Sequence, residues 1–265
     1  DAGYLVNSSR MSASFLQILS PDLELAGRPV TQLVFYLGFR LWGEDITRFH
    51  LLLVGLHLLA TALLVATARR TGLHLSVALV AGAFFLLHAG HFRAVHWVSA
   101  LAYPLALTGS LTAILCYQEY LRSYTRWWLA ATYGAALFGT FSHVAAAAVL
   151  PVCYLLARQQ QQPERRSART LLPLAVVVAG SIWWLLSFYH DAPQVVQATE
   201  ALSAAQALSY FLLLVGRLVS TAHWFFVPAH FFHGWEPYFG LLVLALLAGL
   251  ARRFPEIRLW VSWVC

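Results

Sequence analysis

The residue types that could do chemistry in this chain are histidine, aspartate and arginine, placed in turns between long apolar runs. The densest turn, His88-Ala-Gly-His91-Phe-Arg-Ala-Val-His96-Trp97, holds three histidines. Zinc binds such imidazoles, but the spacing matches no strong zinc signature, and no cysteine or acid lies close in sequence. We therefore predict no metal site here and expect the histidines to form hydrogen bonds at a membrane interface.

Two further histidines occur within one apolar run. His50 and His57 are seven residues apart and so share a helix face. On a facing helix, His143 could complete an axial pair for a haem iron or for the magnesium of a chlorophyll-type pigment. The alternative is that these histidines bond to neighbouring helices. Because ionisable residues inside membranes are functional candidates by default, both interpretations stay open.

Acids and arginines are concentrated in the N-terminal segment and in the longer turns. A carboxylate beside a membrane-buried pocket can act as a general base that activates an acceptor hydroxyl. Guanidinium groups match the oxygens of a lipid phosphate or pyrophosphate, although they also occur as ordinary interfacial residues. The acids concerned are Asp1, Asp22, Glu24, Glu44 and Asp45, and the arginines are Arg28, Arg40, Arg93 and Arg217.

The composition indicates that membrane helices must position these groups. Hydrophobic residues make up 60% of the 265 residues and charged residues only 11%, with a mean hydropathy of +0.68. A soluble domain carries about a quarter charged residues. All 17 basic residues are arginine, which excludes lysine nucleophiles and Schiff bases. The three cysteines lie in apolar segments without metal or disulfide spacing.

The apolar runs predict an all-α, polytopic transmembrane bundle of seven to eight spans. A helix needs about 20 apolar residues to cross the hydrocarbon core and satisfies its own backbone there. The predicted spans are 47–68, 75–90, 99–121, 127–141, 143–158, 170–189 and 237–251, with an eighth beginning near 259.

Two amphipathic segments are predicted to lie on the outer face instead of crossing. Residues 30–43 are too short, with Val30, Leu33 and Leu37 among the residues of one apolar face. If residues 206–227 crossed the membrane, Arg217 would lie near the middle of the span. An arginine there costs about 2.5–3.5 kcal/mol of insertion free energy. With both outside, the inner turns hold eleven arginines and three acids, against six arginines and eight acids outside. This distribution follows the positive-inside rule.

The whole chain, 1–265, is thus predicted to form one integral membrane domain. Two long outer loops, 1–46 and 190–236, each contain an interfacial helix. The chain starts without methionine and stops within an apolar run, so we expect a fragment that lacks a helix at each end. The arginines lie in turns and form no continuous basic face, which argues against nucleic acid as a partner.

Several short motifs resemble the GT-C superfamily of membrane glycosyltransferases, especially the membrane part of the tetratricopeptide-repeat O-mannosyltransferase-like proteins. The segment from Asp1 to Asn7 resembles the family's aspartate loop, and Arg28-Pro29 its outer helix start. His50 and His57 resemble the histidines of its next span. The turn 88–97 is similar to the family's His-Pro-x-His-x-Glu-Ala-Val-x-Trp, and 206–233 to its later outer helix.

The resemblance implies inverting transfer of a sugar from a polyprenyl-phosphate donor to an acceptor on the non-cytoplasmic side. Asp1 would be the catalytic base or a metal-binding acid, which leaves the cofactor open, with a divalent metal ion as one candidate. The residues expected to hold the substrate and its phosphate are Arg28, His91, Arg93, His96 and Arg217.

Two departures from the family pattern support an alternative. Arg93 stands where the family turn has glutamate, and His143 follows Ser142 where the family has Ser-Lys-Glu. The alternative is a non-catalytic membrane subunit with a degenerate GT-C-like fold in a larger complex, with a pigment- or haem-associated subunit as a variant. In both cases the partners are membrane lipids, and other membrane subunits are possible partners. The expected location is the inner (cytoplasmic) membrane of a bacterium.

Overall fold

The computed structural model describes residues 27–88, 91–160, 164–189 and 236–253, together with residues 205, 208 and 212. Every regular element in these ranges is helical, in agreement with the all-α prediction. Two compact units divide the chain: residues 1–86 with 92–190, and residues 87–91 with 191–265. The first unit contains nearly all of the described helices, and the second contains the helix Glu236–Arg253.

The described helices follow the predicted segments closely. They are α1 (Pro29–Trp42), α2 (Ile46–Arg70), α3 (Leu75–Leu87), α4 (Phe92–His96), α5 (Ala102–Ser123), α6 (Arg126–Ser142), α7 (Val149–Gln159), α8 (Glu164–Tyr189) and α9 (Glu236–Arg253), with short 3-10 segments at Val98–Ala100 and Val144–Ala148. The predicted span 143–158 is divided, because a 3-10 segment precedes α7.

Local sequence signals explain where the helices begin and end. Pro29 occupies the first turn of α1, where a missing N–H costs nothing, and Gly43 ends it with a φ of +61°. Asp45 caps α2 by accepting hydrogen bonds from the backbone N–H groups of Thr47 (3.0 Å) and Arg48 (3.4 Å). Tyr124 ends α5 in the left-handed conformation, with φ at +53°, and so turns the chain into α6.

Two stretches, Ile46–Arg70 and Val98–Ser123, are long and apolar enough to cross a membrane, judged by length and composition among the described residues. The apolar helices Leu75–Leu87, Val144–Gln159 and Arg169–Leu185 are shorter. Large apolar side chains are also exposed, for example Val80 at 69% and Leu51 at 66%. Contiguous exposed apolar surface is typical of contact with lipid or with other subunits.

α5 lies at the centre of the first unit. It runs parallel to α2, since the Gln118 amide donates to the Thr67 carbonyl at 3.3 Å and Arg70 forms an ion pair with Glu119. It runs antiparallel to α6, and a Cβ added to Gly109 would lie 2.7 Å from the Gly139 Cα. Such contacts between small residues let membrane helices approach closely.

The apolar core at one end of this unit joins α1 to α2 and α5. Phe35 and Phe49 are both 1% exposed, and their ring centroids lie 6.0 Å apart. Gly38 gives the Phe49 ring room, because a Cβ there would approach the ring to 2.7 Å. This core fixes α1 against the bundle and determines which of its faces is buried.

Candidate functional site

The buried face of α1 is not its most apolar face. Thr31, Gln32, Phe35 and Gly38 are buried, whereas Leu37 and Leu41 are 47% and 70% exposed. An interfacial helix gains by placing leucines in lipid, but burying a glutamine costs free energy unless its amide is hydrogen-bonded. The orientation of α1 therefore directs a polar group into the protein.

α1 meets the end of α6 through a hydrogen bond. The Thr31 hydroxyl donates to the Ser142 carbonyl at 3.1 Å, and both residues are buried. Arg28, the N-cap residue just before α1, and Gln32 lie one turn apart, and the Gln32 N–H donates to the Arg28 carbonyl at 3.1 Å. These contacts bring the first turn of α1 to the turn after α6, where His143 lies.

The His143 ring accepts a backbone hydrogen bond in this arrangement, which leaves Nε2 as its donor. Its Nδ1 accepts the backbone N–H of Ala145 at 3.1 Å, so in the neutral ring the proton is on Nε2. Burial, and then the positive charge of Arg28, lower the pKa of His143 from 6.5 to about 4. The ring also stacks against Tyr103 of α5, with centroids 4.5 Å apart. At neutral pH His143 is uncharged, which makes it a weak general base.

We call this set of residues the polar cluster; it comprises Arg28, Thr31, Gln32, Tyr103, Ser142 and His143. Both polar atoms of the Gln32 amide are buried without a hydrogen-bond partner among the described residues, and so is Nε of Arg28. A buried polar group left unpaired costs about 1–3 kcal/mol. The cluster combines a guanidinium, an amide and an imidazole donor, which are groups that bind phosphate oxygens.

The predicted site residues have different outcomes in the structure. Arg28 lies in the polar cluster, together with His143, which the sequence offered as an axial ligand and as a departure from a family motif, but not as a phosphate-binding residue. Asp1 and Arg217 lie outside the described residues, and of Arg93 only the backbone, in α4, is described. His96 ends α4 and is exposed, whereas His91 lies beside His88 in the second unit, with ring centroids 5.5 Å apart.

Two of the three histidines considered as axial ligands, His57 and His143, have partners within the protein. The His57 Nε2 donates to the Leu86 carbonyl at 3.2 Å, and its ring lies 5.0 Å from that of Phe85. His143 contacts Tyr103 and Ala145. Among the described residues, no group of three or more His, Cys, Asp or Glu side chains is arranged to hold a metal ion.

Gln32 and Tyr103 were not among the predicted site residues. A signal for Gln32 was present, since it is a polar residue away from the leucine face of α1. Its burial depends on the packing of α1 against distant helices, which no local pattern encodes. No family model, curated protein or solved structure matches this chain significantly.

Proposed function

We propose that this chain is a membrane glycosyltransferase of GT-C type that takes its sugar from a polyprenyl-phosphate donor. The observation that carries the proposal is the pair Arg28 and Gln32: the Gln32 amide nitrogen and oxygen and the Arg28 Nε are buried without described partners. A phosphate group accepts hydrogen bonds from such donors. The finer topology is part of the proposal: seven to eight spans, with the polar cluster on the non-cytoplasmic side.

The exposed side of α1 supports a lipid-linked ligand in particular. Leu37 and Leu41 lie on the same helix as Arg28 and Gln32 and face outward. An amphiphile can place its phosphate in the polar cluster and its isoprenoid chain along these leucines. The family resemblance supplies the reaction, in which Asp1 would activate the acceptor hydroxyl. His143 would donate a hydrogen bond to the phosphate and would not remove a proton.

Binding of polyprenyl phosphate to the purified protein tests this proposal, with the uncharged polyprenol as the matched ligand. We expect Arg28→Gln to weaken binding of the phosphate about ten-fold, since one charge-assisted contact is lost. Binding of the polyprenol should not change. Arg40→Gln is the control, because Arg40 is exposed near the end of the same helix. Equal affinity of wild type and Arg28→Gln would contradict the proposed site.

Gln32→Leu separates a ligand-binding role from a purely structural one. Leucine removes a buried amide without described partners, so we expect the protein to become more stable, by about 1 kcal/mol, while phosphate binding weakens. Thermal unfolding and ligand titration measure the two effects. If Gln32→Leu is destabilising and binding is unaffected, the amide has a structural role only.

The alternative function is a non-catalytic subunit of a larger membrane complex. The observation that favours it is that the polar cluster contains no carboxylate among the described residues. The two functions predict different results in an assay of sugar transfer. Loss of transfer in the variant Asp1→Asn supports the enzyme. Absence of transfer by wild type, together with stoichiometric co-purification with other membrane proteins, supports the subunit.

A further inference from the structure

A pocket of about 400 Å³ opens at the other end of α6, between the end of α5 and the first turns of α8. α6 has 17 residues and is about 25 Å long, which separates this pocket from the polar cluster. We call it the basic pocket; the residues that line it and matter here are Tyr120, Tyr124, Arg126, Tyr133, Arg169 and Thr170.

Two arginines give this pocket its charge. Arg126 begins α6, and Arg169 lies near the start of α8. Neither forms an ion pair or hydrogen bond with another described residue, whereas Arg70 and Arg48 have acidic partners. None of the described residues that line the pocket carries a carboxylate. Two guanidinium groups at one concave surface without a counter-charge favour an anion with several oxygens.

The wall of the pocket is held in place by tyrosine contacts. The Tyr133 hydroxyl donates to the Thr170 carbonyl at 2.9 Å and so joins α6 to α8. Behind it, the Tyr117 hydroxyl and the Thr170 hydroxyl lie 3.3 Å apart. The Tyr120 and Tyr124 rings meet edge to face at 6.1 Å. The pocket is thus formed before any ligand binds, which lowers the entropic cost of binding.

Exposed apolar residues continue from the pocket along both helices that flank it. Trp127, next to Arg126, is 72% exposed, and on α8 Leu172 and Val176 are 67% and 64% exposed. Tryptophan and tyrosine are enriched where a helix meets the headgroup region of a bilayer. The surroundings therefore favour an anion that carries hydrocarbon chains over a water-soluble one.

We propose that the basic pocket binds the phosphate headgroup of an acidic membrane phospholipid, with Arg126 and Arg169 contacting its oxygens. The acyl chains would lie along the apolar surface of α6 and α8. This site is separate from the polar cluster and does not depend on the proposed glycosyltransferase activity. Its role would be to anchor the arginine-rich end of the bundle at one leaflet.

Thermal unfolding of the detergent-purified protein tests the proposal. Dioleoyl phosphatidylglycerol and dioleoyl phosphatidylcholine are added in parallel, because they share chains and differ in net headgroup charge. We expect the acidic lipid alone to raise the unfolding temperature, and Arg126→Gln with Arg169→Gln to weaken its apparent affinity about ten-fold. The control is Arg40→Gln with Arg252→Gln, which removes the same charge from two exposed positions elsewhere.

Further variants and ligands decide between the outcomes. Arg126→Lys with Arg169→Lys keeps the charge and should bind the lipid more tightly than the glutamine pair. This comparison separates a loss of lipid binding from a folding defect in the glutamine pair. Inorganic phosphate should neither stabilise the protein nor compete with the lipid. An equal response to both lipids, retained affinity in the glutamine pair, or full competition by inorganic phosphate would each overturn the proposal.

Discussion

Protonation of His143 in the polar cluster makes the stability of the protein depend on pH. Its pKa is lowered to about 4 in the folded protein, by burial first and by Arg28 second, from an ordinary value of 6.5. The unfolded chain therefore binds a proton at a higher pH than the folded protein does. The stability contributed by neutral His143 is fully present above about pH 6.5 and is lost as the pH falls toward 4.

We predict that His143→Asn reduces the loss of stability between pH 7 and pH 4.5. Asparagine does not titrate, and its carbonyl can still accept the Ala145 N–H that the ring now accepts. The unfolding temperatures of wild type and variant, measured across this pH range, give the difference due to this one residue.

His74→Asn is the matched control for this experiment. His74 also accepts a backbone N–H two residues ahead, from Ser76 at 3.4 Å, but it is exposed. The control should show the same pH dependence as wild type. If His143→Asn also follows wild type, the ring is already accessible to protons in the folded protein.

Among the helices, the contact between α5 and α6 holds both proposed sites in place. α6 begins at Arg126 in the basic pocket and ends at Ser142 in the polar cluster. Its closest approach to α5 is at Gly109 and Gly139, where backbone atoms leave no room for a side chain. A shift of α6 would therefore disturb both ends.

We predict opposite effects on stability for alanine at two glycines of these helices. Gly109→Ala places a Cβ 2.7 Å from the Gly139 Cα and should destabilise the protein by about 1–3 kcal/mol. Gly134→Ala meets no atom within 4 Å and should be neutral, or stabilising by up to about 1 kcal/mol, because alanine favours a helix. Thermal unfolding measures both. If Gly109→Ala does not lower the unfolding temperature, α5 and α6 lie farther apart at Gly109 than described above.

The helices were the part of the fold most accessible to prediction. The predicted span 47–68 corresponds to α2 at Ile46–Arg70, and the predicted amphipathic segment 30–43 corresponds to α1 at Pro29–Trp42. Run length, proline, glycine and arginine are local signals, and helix formation is local too. The buried face of α1 was less accessible, because it depends on contacts such as Thr31 to Ser142, 111 residues apart.

Across the bundle, arginines from different turns meet at one end. Arg122 donates to the Arg70 carbonyl at 3.1 Å, and both contact Glu119. The positive-inside rule predicts that the helix ends carrying these residues lie on the cytoplasmic side. The geometry agrees that they share an end, since α2 and α5 run parallel. The side of the membrane on which this end lies remains a prediction.

Cysteine labelling in intact cells tests the orientation. In a variant without native cysteines, we expect Glu44→Cys to react with a membrane-impermeant maleimide from outside. Ser123→Cys should react only after the membrane is opened. Both positions are exposed and lie at opposite ends of the bundle. The reverse pattern would invert the topology and place the polar cluster in the cytoplasm, which contradicts the proposed donor site.

The amino-acid sequence was sufficient for the helical class, the positions of the helices and the concentration of arginines at the polar breaks between apolar runs. Each of these follows from interactions between residues close in the chain, or from the partition of apolar runs into lipid. It was insufficient for the polar cluster and for the basic pocket. Gln32 is buried, His143 is held neutral, and Arg126 and Arg169 line one pocket because helices distant in sequence pack together. These long-range contacts set the burial and charge on which any chemistry depends.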